Sequence, residues 1–170
     1  MKAGLTLLVL SLLTGCVSFQ SNIDRAATPE FTRLLVVSKL PNAGPDYLNM
    51  FLNIFPTKYE VCITDAGPLS FGNPDSLIRR QATSCHSEVI LTINPYRNYT
   101  TGSGEYIASA NEVLLELTDA TTQKSFWKAI AQSGGSRVPT AEQIAKRLRH
   151  DGIIIGKVLY GKPMVSRNSK

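Results

Sequence analysis

Thr32-Arg33-Leu34-Leu35-Val36-Val37-Ser38-Lys39-Leu40 sets four aliphatic residues in succession, and Pro41-Asn42-Ala43-Gly44-Pro45 ends the run. A strand with one wet face alternates apolar and polar residues, so an unbroken aliphatic run predicts a strand buried on both faces. Downstream, Tyr47, Leu48, Phe51, Leu52 and Phe55 recur at helical spacing between Pro45-Asp46 and Pro56. That spacing predicts a short amphipathic helix, begun by one proline and stopped by the other. Lys58 to Asp65, through Tyr59-Glu60-Val61-Cys62-Ile63, alternates and predicts a second strand. The unit is β-α-β.

The pattern continues to the C-terminal side. Asn73-Pro74-Asp75 combines a cap residue, a proline for the first helical position and an acid favourable to the helix dipole, which predicts a helix to about Cys85. Glu88-Val89-Ile90-Leu91-Thr92-Ile93 predicts a third strand, and Asn94 to Gly104, rich in Tyr, Thr, Gly and Asn, reads as a loop. Glu105 to Thr118 reads as a long strand, joined by the turn Asp119 to Lys124 to a hairpin partner, Ser125 to Ala131. Thr140-Ala141-Glu142-Gln143 is a capping box ahead of Ala141, Ile144, Ala145 and Leu148 at helical spacing. Gly152 is placed for a left-handed cap, and Ile153-Ile154-Ile155 predicts a buried segment or last short strand. The order β-α-β-α-β-β-β-α predicts an α+β fold, a mixed sheet of about five strands with three helices, in a single domain over residues 31–160.

Composition narrows the function classes. The chain has 170 residues, 43% hydrophobic and 18% charged, with a formal net charge of +5. It is neither disordered by composition nor a multi-span membrane protein, and the mild positive charge is far from that of a nucleic-acid binder. No nucleophile elbow, zinc-protease helix motif, phosphate-binding loop or dinucleotide fingerprint occurs. His86 and His150 are the only histidines. His150, between Arg149 and Asp151 at a helix end, reads as a solvated or hydrogen-bonded residue and not as a general base. Asp65 and Asp119 read as turn acids, Gly102-Ser103-Gly104 as a loop tip, and Trp127 beside Phe126 as core. No enzyme activity, metal or cofactor is expected.

The N-terminus carries an address. Met1-Lys2 supplies one charge, and Leu5 to Leu13 is an apolar run of signal-peptide length, too short for a spanning helix of about 20 residues. Leu13-Thr14-Gly15-Cys16 resembles a bacterial lipobox, an aliphatic residue and two small residues before an acceptor cysteine. The resemblance implies that residues 1–15 are removed as a lipoprotein signal peptide and that Cys16 carries the acyl chains. Several chains on one residue anchor a protein stably, where one alone binds marginally. The residue after Cys16 is Val17 and not the aspartate that, in that family, retains lipoproteins at the inner membrane. This implies the periplasmic face of the outer membrane. Ser18 to Pro29 is polar without apolar period, so residues 16–30 read as lipidated cysteine and tether. In an oxidising compartment Cys62 and Cys85 are either a disulfide or two buried free thiols.

The element order in a lipidated chain resembles the small α+β domain of the curli-assembly lipoprotein family and the N-terminal domain of the TolB family. The Leu117 to Trp127 hairpin, with Asp119 in its turn, and the Ala141 to Gly152 helix, ending Leu148-Arg149-His150-Asp151-Gly152, carry that likeness. No membrane-inserting hairpin of the curli-pore kind is evident, and no pore is expected. The resemblance implies a non-catalytic assembly or accessory subunit of a cell-envelope complex, held by its lipid and docking on an envelope protein. Tyr96, Arg97, Tyr99 and Tyr106 are the candidate partner-binding residues, because Tyr and Arg among Asn, Ser and Gly form an amphipathic surface. The basic tail 161–170 ends a stretch from Lys146 in which seven cations face one acid, Asp151; it reads as a solvated face or as an attraction to anionic headgroups. The alternative reading is a periplasmic ligand-binding module or hydrolase with an unrecognised site.

Overall fold

A six-stranded mixed sheet and three α-helices make the chain α+β. The computed structural model describes residues 17–41, 43–103, 106–135 and 137–159. Residues 1–15, Cys16 and the tail 161–170 lie outside the described residues. The elements are β1 (Ser18–Ile23), β2 (Arg33–Ser38), α1 (Pro45–Asn49) running into a 3-10 turn (Met50–Asn53), β3 (Glu60–Asp65), α2 (Pro74–Ser84), β4 (Val89–Ser103), β5 (Tyr106–Asp119), β6 (Ser125–Gly134) and α3 (Ala141–His150). The sheet order is β1-β6-β5-β4-β2-β3. β2 is parallel to β3 and to β4, and every other pairing is antiparallel.

The aliphatic run does what its composition predicts. Leu34 and Val36 join one core with Phe51 of the 3-10 turn and with Ile144 and Leu148 of α3. Leu35 and Val37 join a second, smaller core with Ile90 and with Leu77, Ile78 and Ala82 of α2. α1 and α3 therefore cover one face and α2 covers part of the other. α3 starts on the predicted capping box, with Thr140 and Gln143 satisfying each other's backbone amides, a cap that contributes about 1 kcal/mol. Gly152 takes φ +76° just beyond that helix, where a Cβ would be strained. α2 has no buried residue. Its hold on the sheet is reinforced by a disulfide from Cys85, at its end, to Cys62 of β3, 23 residues apart in sequence. Closing a loop of that size stabilises the fold by about 3 kcal/mol in the chain-entropy account.

Two expectations are corrected, and one open alternative is decided. The tether is not a tether: Ser18–Ile23 forms the edge strand β1, paired with β6 from Ser18↔Gln132 to Ile23↔Trp127. Phe19 and Ile23 turn to the core while Ser18, Gln20 and Asn22 face water, and two apolar residues are too few to announce a strand. The sheet therefore has six strands and the order begins β-β-α. Asn94 to Gly104 is not a loop, because β4 continues to Ser103. Ile153 to Ile155 takes the buried-segment alternative and not the strand: Ile153 and Ile154 are buried as irregular chain, and the Ile155 amide donates to the Tyr59 hydroxyl at 2.9 Å.

One buried carboxylate ties β1, β6 and α3 together. Asp151 is 7% exposed. Its Oδ2 accepts from Trp127 Nε1 at 2.8 Å and from Arg147 Nε at 3.0 Å, and its Oδ1 lies 3.1 Å from His150 Nδ1. Arg147 Nη2 also donates to Ser21 Oγ of β1 at 2.6 Å. Burial pushes the Asp151 carboxyl upward, but hydrogen bonds from Ser21, Trp127, His150 and Arg147 outweigh it and hold the group below the usual aspartate range. Asp151→Ala leaves the Trp127 and Arg147 donors without their acceptor and should cost about 3 kcal/mol in denaturant unfolding. Because the folded value is the lower one, this stabilisation is complete above the ordinary aspartate value of about 4. It fades as the pH falls from there through the folded value. An Asp151→Asn variant should lack that part of the acid dependence, and an identical acid profile would contradict the assignment.

Candidate functional site

β4 outruns its neighbour on one side. β2 pairs with it only from Val89 to Ile93, whereas β5 pairs with it as far as Ser103. From Asn94 to Ser103 no strand lies beside that edge of β4 among the described residues, a stretch of about 33 Å at strand rise. The carbonyl of Ile93 accepts the Lys39 amide at 2.9 Å, so Ile93 points its backbone polar groups toward β2. Pro95, two residues on, points the same way, to the open edge, where its missing amide is not needed. The register then shifts between Pro95 and Arg97, a bulge that twists the strand and re-aims its side chains. Proline, Asn and Gly signal a loop locally, yet the antiparallel partner β5 is long enough to hold the chain extended.

The bulge presents the predicted residues. Tyr96 is 43% exposed. Arg97 Nη2 donates to its hydroxyl at 3.0 Å, and the guanidinium carbon lies 4.8 Å from its ring centroid. Arg97 Nε is 3.8 Å from Glu112 Oε2 across the hairpin. The Tyr99 hydroxyl accepts from the Gln132 side-chain amide of β6. Tyr96, Arg97 and Tyr99 are thus brought together on β4. Tyr106, described by its backbone alone, is opposite Ser103 at the far end of the arm. Beneath the arm lies a notch of about 380 Å³ lined by Leu40, Pro41, Ala43, Pro95 and Val138. Sequence reading missed it because its walls come from segments far apart in the chain.

A second concavity, a shallow groove of about 1180 Å³, runs between α2 and the sheet. Two of its carboxylates, Glu88 and Asp119, are engaged in structure. Glu88 Oε2 accepts the amides of Thr32 at 2.7 Å and Arg33 at 3.1 Å, and Oε1 accepts Arg33 Nη2 at 2.9 Å; those amide bonds hold it below the usual carboxylate range. Asp119 Oδ1 accepts from the Thr122 and Thr121 amides and is held low by the Thr122 contact first. It is the turn acid that the sequence indicates. Asp65 plays the same part at the end of β3, taking the Gly67 amide at 2.9 Å, and the two acids sit at opposite ends of the sheet. His86 lines the groove, while His150 is bound to Asp151 at the end of α3. Trp127 is core. Among the described residues no group of three or more His, Cys, Asp or Glu side chains is arranged to hold a metal ion, and no helix is long and apolar enough to cross a membrane.

The chain is similar in structure to the PelC dodecamer protein of Paraburkholderia phytofirmans, with 19% identity and a TM-score of 0.47 over 78% of this chain and 96% of that one. It is similar to lipoprotein GNA1162 of Neisseria meningitidis, with 12% identity and a TM-score of 0.39 over 72% and 95%. Against TolB of Acinetobacter baumannii the identity is 9% and the TM-score 0.32, over 78% of this chain and 29% of that chain. No protein-family model and no curated protein matches. These likenesses are remote in sequence and in superposition, and no property of this chain is assigned from them.

The open edge is checked by hydrogen exchange. Amides of residues 89–93 are flanked by strands on both sides and should exchange uniformly slowly. From Arg97 to Ser103 every second amide faces the open edge, so protection should alternate along the strand. Uniform protection there in the isolated protein would mean that something covers the edge.

Proposed function

We propose that this chain is a lipid-anchored, non-catalytic subunit of a cell-envelope complex, acting on the periplasmic face of the outer membrane and engaging a protein partner through the open edge of β4. The open edge carries this reading. A row of unpaired backbone donors and acceptors is a template for strand addition, and the bulge places a tyrosine and an arginine, residue types that dominate interface energetics, beside it. Leu13-Thr14-Gly15-Cys16 supports the anchor. Glu88 and Asp119 of the α2 groove support a non-catalytic role, since carboxylates held low by backbone amides are poor proton donors. A ligand-binding or hydrolytic reading would use that groove or the notch beneath the arm.

Two outcomes test it. Cys16→Ser should move the protein from the membrane fraction to the soluble one, and persistent membrane association would count against lipid anchoring. A photo-crosslinking residue in place of Tyr96 should capture one envelope protein repeatedly in intact cells, whereas the same residue in place of Arg80 on α2 should not. Tyr96→Ala with Arg97→Ala should weaken that capture by about tenfold or more. Equal capture from both positions, or none, would remove the basis for the edge as the docking site.

A further inference from the structure

We propose that the Cys62–Cys85 disulfide is a redox latch on α2: when a dithiol reduces it, α2 leaves the sheet and the rest of the fold stays intact. α2 and α3 are held very differently. α3 buries Ala141, Ile144, Ala145 and Leu148, opens on a capping box and closes on Gly152. In α2, Leu77, Ile78 and Ala82 are only partly buried where they cover Leu35, Val37 and Ile90. Among the described residues, the hydrogen bonds of α2 run within the helix and to its own caps, Asn73 at the start and the turn from Cys85 to Ser87 at the end. That turn sets His86 at φ +51°, in the left-handed region that favours glycine. A helix of 11 residues is marginal in water without tertiary packing, so the covalent bridge is the firmest tie between α2 and the sheet.

The bridge joins a well-held residue to a weakly held one. Cys62 lies in β3, whose Val61 and Ile63 pack against the main core and whose ladder to β2 runs from Arg33↔Glu60 to Ser38↔Asp65. Strand and core keep β3 in place without α2, and the main core, with Phe51, Trp127, Ile144 and Leu148, contains no residue of α2. Cys85 ends a helix with no such support. Opening the bridge therefore frees the 62–85 loop alone, a local opening and not a global one. The latch is also within reach: β3 is the last strand of the sheet, and both cysteines are half-buried. A thiolate of the reductant attacks one sulfur, forms a mixed disulfide with it and expels the other as a thiolate. The reductant's second thiol then displaces the first sulfur, and the reductant leaves as a disulfide. The protein gains the two electrons and two protons that the dithiol loses. Departure of α2 bares Leu35, Val37 and Ile90 and turns the groove beside the helix into an open apolar sheet face. The bridge thus sets whether that face is covered, independently of the lipid anchor and of the β4 edge.

The test uses the full chain, purified with the bridge intact and compared before and after dithiothreitol, without denaturant. Mass measurement after alkylation should show Cys62 and Cys85 both free. Hydrogen exchange at the amides of residues 77–84 should then speed up by about 100-fold, the factor that corresponds to the constraint a loop of this size supplies. Amides of β5, β6 and α3 should keep their protection, and the emission of buried Trp127 should not move. Reoxidation should restore slow exchange in α2, and Cys62→Ala with Cys85→Ala should exchange like the reduced protein whether or not dithiothreitol is present. Retained protection of α2 in the fully reduced chain would mean that packing alone holds the helix, and the proposal falls. Loss of protection in β5, β6 and α3 along with α2, with a red shift of Trp127, would make the bridge a staple of the whole fold and overturn the latch. A bridge that dithiothreitol opens only in denaturant overturns it too.

Discussion

The Asp151 carboxylate decides how β1 is held at the sheet edge. It sits among Trp127 of β6, Arg147 and His150 of α3 and, through Arg147, Ser21 of β1. A buried carboxylate without partners is costly, and an array of charge-assisted hydrogen bonds reverses the sign of that cost. Three elements distant in sequence are thereby required to assemble in one geometry. β1 has few apolar side chains of its own, so its place at the sheet edge depends on this contact together with its ladder to β6.

That dependence reaches the proposed function. A free polar tether after a lipid anchor would let the domain tumble over the bilayer. An edge strand that begins two residues after Cys16 transmits orientation instead. Under that proposal the sheet would act as a frame between the anchor and the β4–β5 arm, which leaves the sheet at the end where β1 starts. On the other flank, α2 covers only part of its face of the sheet and is stapled by Cys62–Cys85, leaving a broad groove in which Arg33, Glu88 and Asp119 are engaged with their own neighbours. The proposed partner site is accordingly an edge and a notch, not a pocket.

Local sequence carried much of the architecture. The aliphatic run Leu34–Val37 announced a strand covered on both sides, Thr140–Gln143 announced the start of α3, Asn73-Pro74-Asp75 announced α2, and Gly152 announced a left-handed stop. Each follows from chemistry within a few residues: hydrophobic period, side-chain caps, φ restriction. Tyr96, Arg97 and Tyr99 were legible in composition only as residue types suited to a surface, and Cys62 and Cys85 as a feasible pair.

Long-range contacts settled what local chemistry left open. Ser18–Ile23 is a strand only because β6 offers a ladder and Asp151 holds Ser21 through Arg147; alone, its polar residues match a linker. Asn94–Ser103 is extended only because β5 runs alongside it, and Pro95 is harmless there only because β2 has already ended. The grouping of Tyr96, Arg97 and Tyr99 beside a bulge, and the emergence of the β4–β5 arm at the end of the sheet where β1 starts, depend on strand direction and register. Those are set by which segments find each other across the chain, and no window of neighbouring residues contains them.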